Sequence, residues 1–357
     1  MKRKYILTDT SFTINGPYEV SLPILRTNTT LTGGGHYSWS PHASSTVACT
    51  LVGCQFCTLT VVPNHGTVSL AGSNFTNFFG KIRVFAGSNE VLQTNSVLPS
   101  GCVVEVYGLG SFRLSTANQS NPVTYHLYGT GSTTNGAFSL GSSATIGTGS
   151  TIVLYDNLTN IHGSGIINGQ IVDDGSNYSI QRVGSLTNIV FGTSQSATRN
   201  LILGTSTYTT LSNGVTWRGN ISASTTSCEM RGPTTTGGSC TVIGNVTVDG
   251  VFASLIAGSF GNNTFNIQGN LILGNTYSKI NINSTTTTVS TIAVAGDVNL
   301  TSTAGQLNLL NSLNAGTYTI ISCTGTMSGT NPTLSTNNTG RSISIQRSGQ
   351  NLIIVAT

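Results

Sequence analysis

Charge is what this sequence has least of. Only 7% of its 357 residues are Asp, Glu, Lys or Arg, against about 25% in ordinary soluble domains. Ten acidic residues in the whole chain leave little material for a groove of converging carboxylates, the arrangement glycoside hydrolysis needs. Asp is also too scarce for calcium-binding nonapeptide repeats. The 14 basic residues do not cluster beyond Lys2-Arg3-Lys4. No basic stripe alternates with aromatics, so nucleic-acid binding finds no support. Long apolar runs are missing too. Nothing approaches the roughly 20 residues of a membrane helix, and no paired strands of about 10 alternating residues with aromatic girdles mark a membrane barrel. Only Tyr5-Ile6-Leu7 stand between Lys2-Arg3-Lys4 and Thr8-Asp9, short of the roughly 7–15 apolar residues of a secretory signal. The expectation is either release by a route other than Sec export, such as virion assembly and lysis, or a signal that has been removed.

Helix formers are sparse as well. Leu, Glu, Lys and Ala give way to Thr, Val, Ile, Asn and 43 Gly, a composition that favours strands and tight turns. Apolar residues come in short clusters along the whole length, as in Ile152-Val153-Leu154-Tyr155 and Leu352-Ile353-Ile354-Val355. Such clusters between turn residues read as strands rather than as a disordered polar chain.

The clusters repeat. Gly219-Asn220-Ile221, Gly244-Asn245-Val246, Gly269-Asn270-Leu271 and Gly296-Asp297-Val298 begin about 25 residues apart, in the window of solenoid repeats. Asn200-Leu201-Ile202-Leu203-Gly204 copies Asn270-Leu271-Ile272-Leu273-Gly274. One rung of this length cannot bury its inward face alone. Stacking sets equivalent strands about 4.8 Å apart and lets each rung satisfy its neighbour's backbone. Gly-Asn is expected to form the corner, because both residues tolerate positive φ. The fold class is thus all-β: a single-stranded right-handed parallel β-helix (β-solenoid) with rungs of about 20–27 residues. Residues 1–45 are expected to form an N-terminal cap or docking segment. Residues 46–357 form the solenoid, with regular rungs from about 200 and closing rungs over 296–357.

The last rungs, Gln306-Leu307-Asn308-Leu309-Leu310 and Leu313-Asn314-Ala315-Gly316-Thr317-Tyr318-Thr319-Ile320-Ile321, then Gly325-Thr326-Met327-Ser328-Gly329 and Gly349-Gln350-Asn351-Leu352-Ile353-Ile354-Val355, resemble the closing rungs of β-strand-repeat passengers of bacterial surface proteins and autotransporters. The resemblance covers about residues 200–357 and implies an elongated surface or secreted structural protein. With no membrane barrel or signal peptide read in these 357 residues, the expectation is not an autotransporter in the strict sense. Lys4-Tyr5-Ile6-Leu7-Thr8-Asp9-Thr10 with Asn15-Gly16 resembles the opening of phage-associated short-repeat β-helix proteins. Together these imply a virion or filament component.

Candidate chemistry is thin. Cys54-Gln55-Phe56-Cys57 is one C-x-x-C, which Cys49, His36, His42 or His65 would have to complete. Structural zinc needs four ligands, usually two such pairs, and within a strand Cys54 and Cys57 face opposite sides. Seven irregularly spaced cysteines read as buried thiols rather than a disulfide framework. Asp173-Asp174, after Ile161-His162-Gly163-Ser164-Gly165, resembles a segment of pectin-degrading β-helix hydrolases. The bland alternative is a solvated turn, Val172-Asp173-Asp174-Gly175. The 11 Asn-x-Ser/Thr sequons are no more than the Asn, Ser and Thr content produces by chance. No catalytic, cofactor or metal residue is assigned.

The leading expectation is a non-enzymatic, extracellular structural subunit. It would self-assemble into a virion fibre, a virion decoration or an extracellular filament by pairing terminal strands near Tyr5-Ile6-Leu7 and Leu352 to Val355. No obvious charged or proline-rich cap protects either end. An adhesin passenger that binds host-surface glycans through Trp39, Tyr37, Trp217 or Tyr128 is the alternative. A polysaccharide-degrading enzyme is the remote one.

Overall fold

A computed structural model describes residues 4–5, 11–14, 19–22, 30–33, 35–40, 45–46, 49–53, 57–63, 66–75, 78–86, 90–182, 187–275, 277–300 and 305–357. Every regular element among them is a strand. The strands stack in parallel as a β-solenoid of about 11 turns. Two compact units divide the chain, Met1–Val183 and Gly184–Thr357.

In the first unit one face is a parallel stack that includes His36–Trp39, Thr58–Val61, Lys81–Ala86, Val103–Gly108, Thr124–Tyr128, Thr151–Leu154 and Gln170–Asp173. Strand alternation sends every second residue inward. Register then builds straight interior columns. Leu59, Ile82, Val104, Tyr125, Ile152 and Ile171 are directly stacked and fully buried. Val61, Val84, Val106, Leu127 and Leu154 form the next column. Burial of each such side chain is worth about 1.5–3 kcal/mol, and the interior holds the rungs together. A second face carries the column Val68, Leu92, Phe112, Phe138, Ile161 and Arg182. Its last member is a fully buried arginine. The Arg182 guanidinium donates to the carbonyls of Ile161 (2.5 Å) and Gly163 (3.2 Å), and burial lowers its pKa to about 9.

The second unit repeats the scheme with regular rungs. Leu201, Ile221, Val246, Leu271 and Val298 make one buried column. Met230, Leu255, Ile280 and Leu307 make another. Rung length varies more than the sequence period suggests. Among the described ladders the shortest rung runs from Lys4 to its partner Val20, in the first unit. The longest run from Ile292 to Ile321 and from Val298 to Met327, in the second. Turns absorb the difference while the strands keep register.

The C-terminal strands depart from expectation. Leu352 to Val355 is not an open parallel edge. Asn351–Ala356 pairs antiparallel with Gly316–Cys323 on one side and with Ile343–Ser348 on the other. From that hairpin Arg347 reaches across the last strand of the neighbouring face, Met327–Gly329. Its guanidinium donates to the carbonyls of Met327 (3.2 Å), Ser328 (3.2 Å) and Gly329 (2.7 Å), and its Nε donates to Asn331 Oδ1 (2.7 Å). The cap is a single distant side chain, which no charge run or proline cluster announces. At the other end Lys4–Tyr5 pairs with Glu19–Leu22; Ile6 and Leu7 lie outside the described residues. No helix among the described residues is long and apolar enough to cross a membrane.

Candidate functional site

The outward side of the first face carries two in-register rows. The first is aromatic: Phe85, Tyr107, Tyr128 and Tyr155. Phe85↔Tyr107 and Tyr107↔Tyr128 are ladder partners, and Tyr155 continues the row as its N–H donates to Leu127 O (3.0 Å). Ring centroids are 4.3, 4.8 and 4.2 Å apart, with interplanar angles of 4°, 7° and 16°. The strand spacing of about 4.8 Å imposes this contact. Each aromatic pair adds roughly 0.5–1.5 kcal/mol beyond its burial.

The second row is ionic. Buried Glu105 accepts from Lys81 Nζ (2.8 Å), Arg83 Nε (2.6 Å) and the Tyr107 hydroxyl (3.0 Å). Burial alone would raise the Glu105 pKa, but these three donors outweigh it and hold the carboxyl below its ordinary value. His126 Nδ1 lies 3.0 Å from the Tyr155 hydroxyl, and burial lowers the imidazole pKa. Burial and the bond to Tyr155 push the Tyr128 phenol up to about 12. The Tyr107–Glu105 and His126–Tyr155 contacts join the two rows into one network. Both ring faces of Tyr107 and of Tyr128 are covered by neighbouring rings, so only ring edges remain for contact. Tyr128 therefore offers no face for a sugar ring to stack on.

The second unit has its own ladder, built from the repeated Gly-Asn. Asn200 Oδ1 accepts from the Asn220 N–H (3.1 Å), Asn220 Oδ1 from Asn245 (2.9 Å), and Asn245 Oδ1 from Asn270 (2.8 Å). Asn270 Oδ1 accepts from Asp297 (2.8 Å), and Asp297 Oδ1 from Thr326 (2.7 Å). Each side chain thus bonds the backbone of the following rung, which is why Asn recurs. None of these Asn residues has positive φ, contrary to the expected reason for its presence. Of the preceding glycines, Gly219 and Gly244 do have positive φ, 113° and 156°, while Gly296 answers to close approach. A Cβ on Gly296 would stand 2.3 Å from Asn270 Oδ1 and 2.7 Å from Gly269 O.

The other sequence candidates separate. Cys54, His42 and His65 lie outside the described residues. Cys57 is buried and His36 half-buried. No group of three or more His, Cys, Asp or Glu gathers among the described residues. Cys49, Cys102, Cys228, Cys240 and Cys323 are buried thiols. Burial raises the pKa of each, that of Cys102 to about 12, which makes them poor nucleophiles at neutral pH. Asp173 accepts from the N–H groups of Gly175 (2.7 Å) and Tyr178 (3.0 Å), and Asp174 from that of Ser176 (3.1 Å). That is the geometry of a capped turn. Trp39, Tyr37 and Trp217 are 3%, 2% and 0% exposed, so they belong to the core rather than to a glycan surface. Trp217 Nε1 donates to Arg199 O (3.0 Å). A shallow groove of about 360 Å³ crosses Thr241, Asn266, Ala293 and Ser322, where small residues stack in register.

The aromatic row is the feature that the sequence expectations lack. One aromatic per rung, at Phe85, Tyr107, Tyr128 and Tyr155, was the available signal. Compared with known proteins, the chain matches no family model, no curated protein and no solved structure.

Proposed function

We propose that this chain is a non-enzymatic structural β-solenoid, a subunit that assembles into a virion fibre or decoration, or into an extracellular filament. One observation carries the reading. Its outward side chains join rung to rung, in the asparagine ladder from Asn200 to Thr326 and the aromatic row from Phe85 to Tyr155. Residues arranged in this way stiffen a stack, which is what a load-carrying element needs.

The Arg347 cap changes where assembly would occur. It covers Met327–Gly329, so the adjoining strand Thr333–Asn337 is the better edge. That strand pairs with Gln306–Leu309 and ends its sheet. Thr333, Ser335 and Asn337 are exposed on it. An unpaired edge accepts a further strand, and low charge removes the repulsion that would keep copies apart. The test is sedimentation of the full chain over a range of concentrations, beside a Ser335→Lys/Asn337→Lys variant. Lysine on an edge strand blocks pairing. Concentration-dependent assemblies that the variant abolishes support the proposal. A wild-type chain that stays monomeric throughout overturns it.

A further inference from the structure

The second unit holds an aromatic patch that the fold does not require. Phe252 is 48% exposed, Tyr277 49% and Val251 39%. The two rings lie 5.5 Å apart and are tilted by 48°. They differ from the first unit's row, where neighbouring rings cover each other at 4.2–4.8 Å.

The backbone under Phe252 is left-handed, with φ of 59°. A bulky side chain there is an outlier, and such outliers gather at functional sites. The same turn recurs in earlier rungs. The Ser206 N–H donates to Thr226 O (3.0 Å) and that of Ser227 to Val251 O (2.9 Å). Ser206 and Ser227 have φ of 55° and 56°. The turn therefore forms with a small polar residue, and it neither needs nor favours phenylalanine. Core packing does not explain the ring either, since it faces solvent.

The charge beside the patch is open. Lys279 Nζ sits 5.4 Å from the centre of the Phe252 ring. Among the described residues it meets no carboxylate within ion-pair distance. The nearby Glu229 is already engaged by Arg231 and by Ser254 Oγ (2.9 Å). Two half-exposed rings, one with Lys279 over its face, and a cation that meets no carboxylate among the described residues fit a ligand with an apolar ring face and a carboxylate.

We infer that Phe252, Tyr277 and Lys279 form a binding site for an acidic saccharide, a glycan end carrying a uronate or sialate. The rings stack on the C–H face of the sugar, and Lys279 pairs with its carboxylate.

The left-handed turn makes the site testable without unfolding the chain. Glycine suits this left-handed backbone better than phenylalanine does, so Phe252→Gly is expected to melt at or above the wild-type temperature. Calorimetric titration of the full chain with trigalacturonate, sialyllactose and neutral lactose is the measurement. An acidic sugar is expected to bind in preference to lactose. Phe252→Gly is expected to weaken that binding by about tenfold or more, the equivalent of one lost anchoring contact. Lys279→Gln is expected to remove the preference for the acid, and added salt to weaken wild-type binding. No binding of either acidic sugar overturns the inference, as does equal binding by Phe252→Gly. Self-association that depends on Phe252, read by light scattering, would assign the patch to a second copy of the chain and also overturn it.

Discussion

At Gly296 the space for a side chain is already taken by the preceding rung. The ladder carbonyl of Asn270 and the backbone oxygen of Gly269 both lie closer than a Cβ tolerates. Gly296→Ala is therefore expected to destabilise the second unit by about 1–3 kcal/mol, the usual range for overpacking. A lowered denaturant midpoint would register it. His162 gives a second effect at this scale. It sits 3.2 Å from Ser139 Oγ. Burial, then Arg182 and Arg113, lower its pKa to about 4, from about 6.5 in an unfolded chain. Between those values the unfolded chain takes up a proton that the folded chain refuses. Stability contributed by the neutral imidazole is thus present above about pH 6.5 and is lost as pH falls toward 4. Below that the contribution is flat. His126 shifts in the same direction, so His162→Gln is expected to reduce this slope without abolishing it, as read from melting temperature against pH.

Strands show what the sequence could and could not reveal. The Gly-Asn-apolar segments gave the rung period and the columns beneath it, because both follow from local alternation and a nearly constant turn length. The first unit was harder to read. Its aromatic row aligns only if the turns between Phe85, Tyr107, Tyr128 and Tyr155 have their actual lengths, and those differ. Trp39 and Trp217 were placed outside although they lie in the core, since an isolated aromatic does not disclose which face it takes. Arg347 was invisible for another reason: its carbonyl partners are 18–20 residues away on a different face. Arg347→Ala is expected to speed amide exchange in Met327–Gly329 while leaving Thr207–Leu211 unchanged. The loss should be about 1 kcal/mol, because water replaces part of the cap. Arg347→Lys should restore little, as a point charge cannot fork over three carbonyls.

For the whole molecule, scarce charge and rung-to-rung ladders point the same way. A chain with 7% charged residues has little electrostatic means of keeping copies apart, and stacked like residues favour stiffness. The proposed division of labour gives assembly to the Thr333–Asn337 edge and acidic-sugar recognition to Phe252, Tyr277 and Lys279. Electron microscopy of the purified full chain at high concentration addresses the structural role most directly. Ordered fibres or regular oligomers joined at the Thr333–Asn337 edge are the expected result. Dispersed single particles with that strand exposed at every concentration would contradict it.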